Sequence, residues 1–294
     1  MDEPDPTPEE VEAVWTRRWR TSALGRGRGV DARLAAAYSR FLRGGAGVRH
    51  IAGEIDRAAG GLAGKRVLDA GTGTGLVAVA LARKGAHTTV LDVSEEALAI
   101  ARSNFAAAGR ETESVLGSVF ELPFADGCFD VVTNTGLLEH FQLDRRREAL
   151  AEMLRVLRPD GVCITFNPSA DARLYRRLKV AAERRGTWDV GVELPIATLA
   201  DVLDTDTYAL EERTTGWFMQ LHFVKYVVPR PLDLLASVAG ELGETALGRL
   251  PLPGGYLLVS TIRRRPVNAS PPPPATSPGP PGAGSSQAPP PSPT

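Results

Sequence analysis

An α/β fold, with a doubly wound parallel sheet covered by helices on both faces, is predicted by three features of the sequence. From Lys65 onward, short apolar runs alternate with longer helical ones, as in strands joined by crossover helices. The stretch VLDAGTGTG, Val67 to Gly75, sets three glycines between the first strand and the first helix, where such a sheet opens a crevice for a ligand. The chain has 294 residues and is 43% hydrophobic, enough for one sizeable core with material left for a cap or a tail.

The elements follow in order. EEVEAVWTRRW (9–19), DARLAAAYSRFLRG (31–44) and AGVRHIAGEIDRAAGGL (46–62) read as helices, the third stopped by Gly60 and Gly61; ALGRGRGV (23–30) is a glycine-broken loop. Residues 1–61 are therefore expected to form an N-terminal helical cap, and 62–265 the sheet domain. Val67 and Leu68 make the first strand, and Leu76 to Lys84 the first helix, ended by Gly85. TTVLD is the second strand; Ser94 then caps EEALAIARSNFAAA, which stops at Gly109. ESVLG and FDVVTN are the third and fourth strands. A helix from about Asp144 to Leu157 buries Leu150, Met153, Leu154 and Leu157 on one face, and RPDG turns the chain into the fifth strand, VCITF. A helix over Ala170 to Arg185 precedes the last two strands, TYALEER and GYLLVSTI. Between these strands, residues 215–254 are too many for a hairpin loop and rich in apolar and aromatic types, which suggests a lid insert. Residues 266–294 are proline-rich with almost nothing to bury, and are expected to be disordered.

Composition excludes several functions. Lys plus Arg number 34 against 35 Asp plus Glu, so no bulk field draws the chain to nucleic acid or anionic lipid. The arginine clusters 145–147 and 263–265 read as solvated surface. Cys128 and Cys163 lie in apolar, strand-like contexts and read as buried thiols, in keeping with a reducing cytosol. No apolar run is long enough to span a membrane, and the acidic, Pro-rich start is unlike a signal peptide, so a cytoplasmic protein is expected. His50, His87, His140 and His222 are scattered with no pair at ligand spacing, and no metal is expected.

The glycine stretch carries the chemistry. Gly71, Gly73 and Gly75 permit positive φ and remove Cβ atoms that would keep a ligand off the backbone. Asp92, roughly 20 residues further on at the end of the second strand, is placed to accept both hydroxyls of a ribose. A nicotinamide dinucleotide would satisfy Asp92, but it favours G-x-G-x-x-G, and here the third glycine comes one residue early. Asp69 beside the turn would repel a pyrophosphate and attract a cation. S-adenosylmethionine meets both requirements, having a ribose diol, no phosphate and a cationic methionine end.

VLDAGTGTG, VLDVS, LPF with FDVVTNTGLLEHF, and LRVLRPDGVCIT occur in order between Lys65 and Phe166, and together they resemble the class I S-adenosylmethionine-dependent methyltransferases. The resemblance implies a Rossmann-like seven-stranded sheet with an antiparallel last strand. It implies that Asp69, Gly71, Thr72, Gly73 and Gly75 receive the methionine moiety, that Asp92 with Val93 holds the ribose, and that Ser118 with Val119 lies against the adenine. Family members commonly carry an acid where this chain has Ser118, a neutral and weaker acceptor. Asn134 and Thr135 would lie near the reactive methyl group. NTGL stands in place of the Asn-Pro-Pro-Tyr associated with methylation of planar amino groups, which disfavours nucleic-acid bases.

His140, just beyond the fourth strand, is the candidate general base, although displacement at a sulfonium does not strictly need one. Tyr175, Trp188, Trp217 and His222, with Phe218, Phe223 and Tyr226 around them, are candidates for acceptor binding. Aromatic side chains so spaced serve core packing as readily, as do Tyr38 and Phe41 in the N-terminal helices. The expected activity is methyl transfer to a small organic acceptor. A nicotinamide-dependent reductase, or a scaffold with a vestigial pocket whose tail docks a partner, are the alternatives.

Overall fold

The computed structural model describes residues 11, 13–17, 45–188, 190–229, 232–248, 250 and 252–266. The helix expected at 31–44 with Tyr38 and Phe41, the loop expected at 23–30 and nearly all of the Pro-rich tail lie outside these residues. Within them run α1 (Ala46–Ala58), β1 (Arg66–Ala70), α2 (Leu76–Arg83), β2 (His87–Asp92), α3 (Glu95–Ala107), β3 (Glu113–Leu116) and β4 (Phe129–Thr135). There follow a short 3-10 turn (Leu138–His140), α4 (Leu143–Arg155), β5 (Leu157–Pro168), α5 (Arg173–Arg184), β6 (Tyr208–Thr215), a longer 3-10 segment (Trp217–Tyr226), α6 (Leu232–Leu247) and β7 (Leu257–Arg264).

The strands form one sheet in the order β3-β2-β1-β4-β5-β7-β6. The first five run parallel, and β7 enters antiparallel between β5 and β6, as expected. Strand order reverses between β1 and β4, so the crevice of a doubly wound sheet opens at their carboxyl ends.

Local sequence accounts for these elements. Ser94 Oγ accepts the Ala97 N–H at 3.3 Å, and Glu95 with Glu96 face the positive end of α3. α4 buries Leu150, Met153 and Leu154 but ends at Arg155, two residues before the expected stop, because Leu157 already pairs with Phe129. The expected RPDG turn is instead a bulge inside β5: pairing jumps from Phe129↔Leu157 to Val131↔Val162, so one residue of β4 faces four of β5. Gly161 allows this crowding, since a Cβ there would stand 2.9 Å from the Asp130 carbonyl oxygen.

Ile51, Ala52 and Ile55 of α1 share one core cluster with Val67, Leu81 and Val131, so the boundary expected near residue 61 does not separate two cores. Cys163 is fully buried, and burial alone pushes its thiol up to about 12. Among the described residues no helix is long and apolar enough to cross a membrane.

Candidate functional site

A cavity of about 670 Å³ opens beyond the carboxyl ends of β1, β2 and β4. Its floor is the turn from Gly71 to Thr74. Gly71 and Thr72 donate their backbone N–H groups to the Leu91 carbonyl at 2.8 and 3.0 Å, which ties the turn to β2. Gly71 has φ +70° and faces Leu137, whose Cδ atoms would lie 3.0 Å from an added Cβ. Asp92 organises the same turn: Oδ2 accepts from Gly73 N at 2.8 Å and Oδ1 from Ser94 N at 3.0 Å.

Asp69 is buried, with the Thr72 hydroxyl donating to Oδ2 at 2.7 Å. Burial pushes its carboxyl up to about 6; the Thr72 bond opposes this shift and the charge of Asp92 adds to it. Positive charge brought beside this carboxyl would favour its ionised form. Gly75 plays a different part from the one expected, because it does not line the cavity. At φ +69° it starts α2, and a Cβ there would stand 2.8 Å from Ala101 Cβ, so it lets α2 and α3 approach.

Val93, Ser118, Val119 and Thr135, four of the expected site residues, line the cavity. Ser118 Oγ accepts the Phe120 N–H at 3.2 Å, and the Arg145 guanidinium stacks 3.7 Å above the Phe120 ring, both residues facing the cavity. Only part of the first arginine cluster is therefore solvated surface. Arg145 belongs to the wall, and Arg146 is buried, donating to the Leu138 and Leu194 carbonyls at 2.8 and 3.0 Å.

Several expected site residues are corrected. Asn134 is wholly buried and donates to Met153 Sδ at 3.4 Å, which turns it toward α4 and away from the cavity. His140 is 2% exposed, with Nδ1 at 2.7 Å from the Val192 carbonyl and its ring edge-on to Trp15 at 5.2 Å. It does not line the cavity, whereas Leu137 and Phe141 on either side of its turn do. Tyr175 and Trp188 pack with Phe223, Tyr226 and Tyr256 in an aromatic cluster outside the cavity, because the Tyr175 ring lies 4.6 Å from Phe223 and 4.9 Å from Tyr256. Trp217 turns edge-on to Phe218 at 5.2 Å and does not line it either.

His222 does reach the cavity, together with Met219 from the same 3-10 segment. Its Nε2 lies 3.4 Å from Glu241 Oε1, and Glu241 Oε2 accepts from Ala46 N at 2.6 Å. Burial lowers the His222 pKa below its ordinary value; Glu241 opposes the shift and Lys225 adds to it, so the ring is neutral near pH 7 and able to accept a proton. Glu241 carried no signal in the sequence, where it is one acid on an amphipathic helix. Trp15, Gly47 and Ile51 also complete the wall from the N-terminal segment. Glu139, His140 and Glu193, which the sequence does not bring together, have ligand atoms within 4.8 Å of one another, a grouping completed by the loop after α5.

The family model for a methyltransferase domain matches residues 67–161. The ubiquinone biosynthesis O-methyltransferase of Thiobacillus denitrificans is 34% identical over 160 residues, which cover 52% of this chain and 68% of that protein. The chain belongs to the class I S-adenosylmethionine-dependent methyltransferases. The demethylmenaquinone methyltransferase of Clavibacter sepedonicus is 41% identical to this chain over 105 residues, 36% of this chain and 42% of its own. The chain spans about half the length of the first curated relatives it matches. Among solved structures, the 1,6-didemethyltoxoflavin-N1-methyltransferase of Burkholderia thailandensis superposes with a TM-score of 0.55 at 20% identity, covering 90% of this chain and 93% of that one, a likeness of fold. The methyl donor of the family is S-adenosylmethionine. The glycine turn fits it, with a carboxylate at each end and no Cβ between the ligand and the backbone at Gly71 and Gly73.

Proposed function

We propose that this protein transfers a methyl group from S-adenosylmethionine to a hydroxyl of a small, largely apolar acceptor. The observation that carries this reading is one continuous cavity, walled at one end by Asp69, the glycine turn and Asp92 and at the other by His222 with Glu241. Bound S-adenosylmethionine supplies a methyl group on a sulfonium, a good leaving group. Asp69 and the turn hold its cationic amino acid end, Asp92 its ribose diol, and Ser118 with Val119 its adenine. Thr135 and Leu137 flank the space toward the acceptor.

His222 accepts the acceptor's proton, and Glu241, fixed by the N-terminus of α1, orients the imidazole and stabilises it once protonated. Proton removal gives the acceptor oxygen the nucleophilicity that a neutral hydroxyl lacks. Segment 215–254 and α1 act as the lid: Gly47 lets the Met219 methyl approach within 3.1 Å of where a Cβ would stand. An apolar cavity of this size suits a single ring system or a short isoprenoid-like molecule. Relatives named for ubiquinone biosynthesis and for demethylmenaquinone favour a hydroxylated ring among these.

The test incubates the purified full chain with S-adenosylmethionine and a panel of hydroxylated aromatic and quinol acceptors, and follows S-adenosylhomocysteine and the gain of one methyl group by mass spectrometry. His222→Gln should lower kcat by about 10² to 10⁴ and leave cofactor affinity unchanged. Equal turnover in the wild type and the variant removes His222 from the chemistry. Binding of NADH with no binding of S-adenosylmethionine overturns the whole reading.

A further inference from the structure

Behind the cavity wall lies a cluster that methyl transfer does not use. Glu139 and His140 occupy the 3-10 turn after β4, and Glu193 arrives from the loop after α5; one ligand atom from each lies within 4.8 Å of the other two. Glu139 is 2% exposed, yet its Oε2 has no hydrogen-bond partner. A buried carboxylate oxygen left in this state is expensive, and native proteins usually pair it with a donor or a cation. Arg146, the guanidinium nearby, gives its donors to the Leu138 and Leu194 carbonyls instead.

The histidine is prepared in the manner of a metal ligand. Its Nδ1 lies 2.7 Å from the Val192 carbonyl, to which it donates in the neutral ring, and its Nε2 lies 3.8 Å from Glu139 Oε1. Metal-bound histidines have this second bond to a backbone carbonyl, and it fixes both tautomer and ring orientation. Glu193 has an outer partner too, the Tyr175 hydroxyl, which donates to Oε2.

We propose that Glu139, His140 and Glu193 form a divalent-cation site suited to Zn²⁺. One imidazole nitrogen with two carboxylate oxygens suits zinc, whereas Mg²⁺ prefers an all-oxygen octahedron. Ligand atoms on one zinc stand at most about 4 Å apart, so the widest separation here closes by roughly 1 Å, within reach of side-chain rotation. The ion staples the turn after β4 to the loop after α5, where Leu194 N already donates to the Glu139 carbonyl at 2.7 Å. Leu137 and Phe141 flank that turn and line the cavity, so the staple fixes one wall of the acceptor site from behind.

The experiment strips the purified full chain with a chelator, measures metal content, and titrates Zn²⁺, Mn²⁺ and Mg²⁺ separately against a chromophoric competitor, with thermal melting in parallel. Expected are one Zn²⁺ per chain, a rise in Tm on binding, and a loss of affinity of at least about tenfold in both Glu139→Gln and Glu193→Gln. Glu193 is half-buried on a loop, so its variant keeps the test decisive if Glu139→Gln does not fold; unchanged S-adenosylmethionine affinity certifies the fold. Zinc bound with the same affinity in wild type and variants, no stoichiometric binding at micromolar zinc, or preference for Mg²⁺ overturns the proposal. None of these readouts depends on methyl transfer.

Discussion

Asp69→Asn removes one charge from a place where the protein itself holds that charge poorly. Burial pushes the carboxyl up to about 6, so near pH 6 half of the free molecules carry it protonated. If the carboxylate receives the cationic end of S-adenosylmethionine, binding selects the ionised form and releases the proton. Linkage then makes the wild-type Kd about tenfold weaker at pH 5 than at pH 7, flat above that range, with about half a proton released per site at pH 6. Asp69→Asn loses the slope, and at pH 7 it loses a charge-assisted bond of about 1.5–3 kcal/mol, roughly ten- to a hundredfold in Kd. The same raised pKa makes a stability statement about the free protein. This group's contribution is fully present below pH 3.8 and is lost as pH rises through about 6, so bound cofactor should raise Tm more at pH 7 than at pH 5. Isothermal titration calorimetry in two buffers of different ionisation enthalpy reads both Kd and protons. An identical wild-type Kd at pH 5 and 7, or a parallel slope in Asp69→Asn, refutes the reasoning.

Two further substitutions separate ligand contacts from architecture. Asp92→Ala takes the acceptors from the Gly73 and Ser94 N–H groups as well as from the ribose, and should weaken S-adenosylmethionine at least about tenfold by calorimetry; a change within twofold rejects the ribose assignment. Gly75→Ala forces φ +69° on an alanine and sets its Cβ 2.8 Å from Ala101 Cβ. It should cost about 1–3 kcal/mol in a urea melt while the folded fraction binds cofactor normally, and an unshifted midpoint shows that the turn is unstrained by a side chain.

The part of the cavity built from strand ends and the glycine turn is legible in the sequence, and the part built from irregular segments is not. Asp69, Gly71, Gly73, Asp92, Ser118 and Thr135 lie in or next to strand ends, where a short motif and the alternation of strand and helix fix both backbone path and side-chain direction. His222 was named among several aromatic neighbours, yet Tyr175, Trp188 and Trp217 had the same standing and went elsewhere. Composition cannot say which way a side chain on an irregular segment turns. Asn134 and His140 failed for a related reason: each follows or ends β4 at the expected height, but the face on which it projects depends on α4 and on the loop carrying Val192.

What the sequence by itself determined is the sheet, its doubly wound character and the glycine turn with Asp69 and Asp92 that floors the cavity, because strand, turn and cap signals act over a few residues. Ser94 was read as a cap and is one. Tertiary structure alone decided that Glu241 on α6 meets His222 and the Ala46 N–H, that Arg145 stacks on Phe120, and that Glu193 reaches Glu139 and His140. Those contacts join positions far apart along the chain. Their partners are chosen by how helices and loops pack on the finished sheet, a choice that no local pattern of residues encodes.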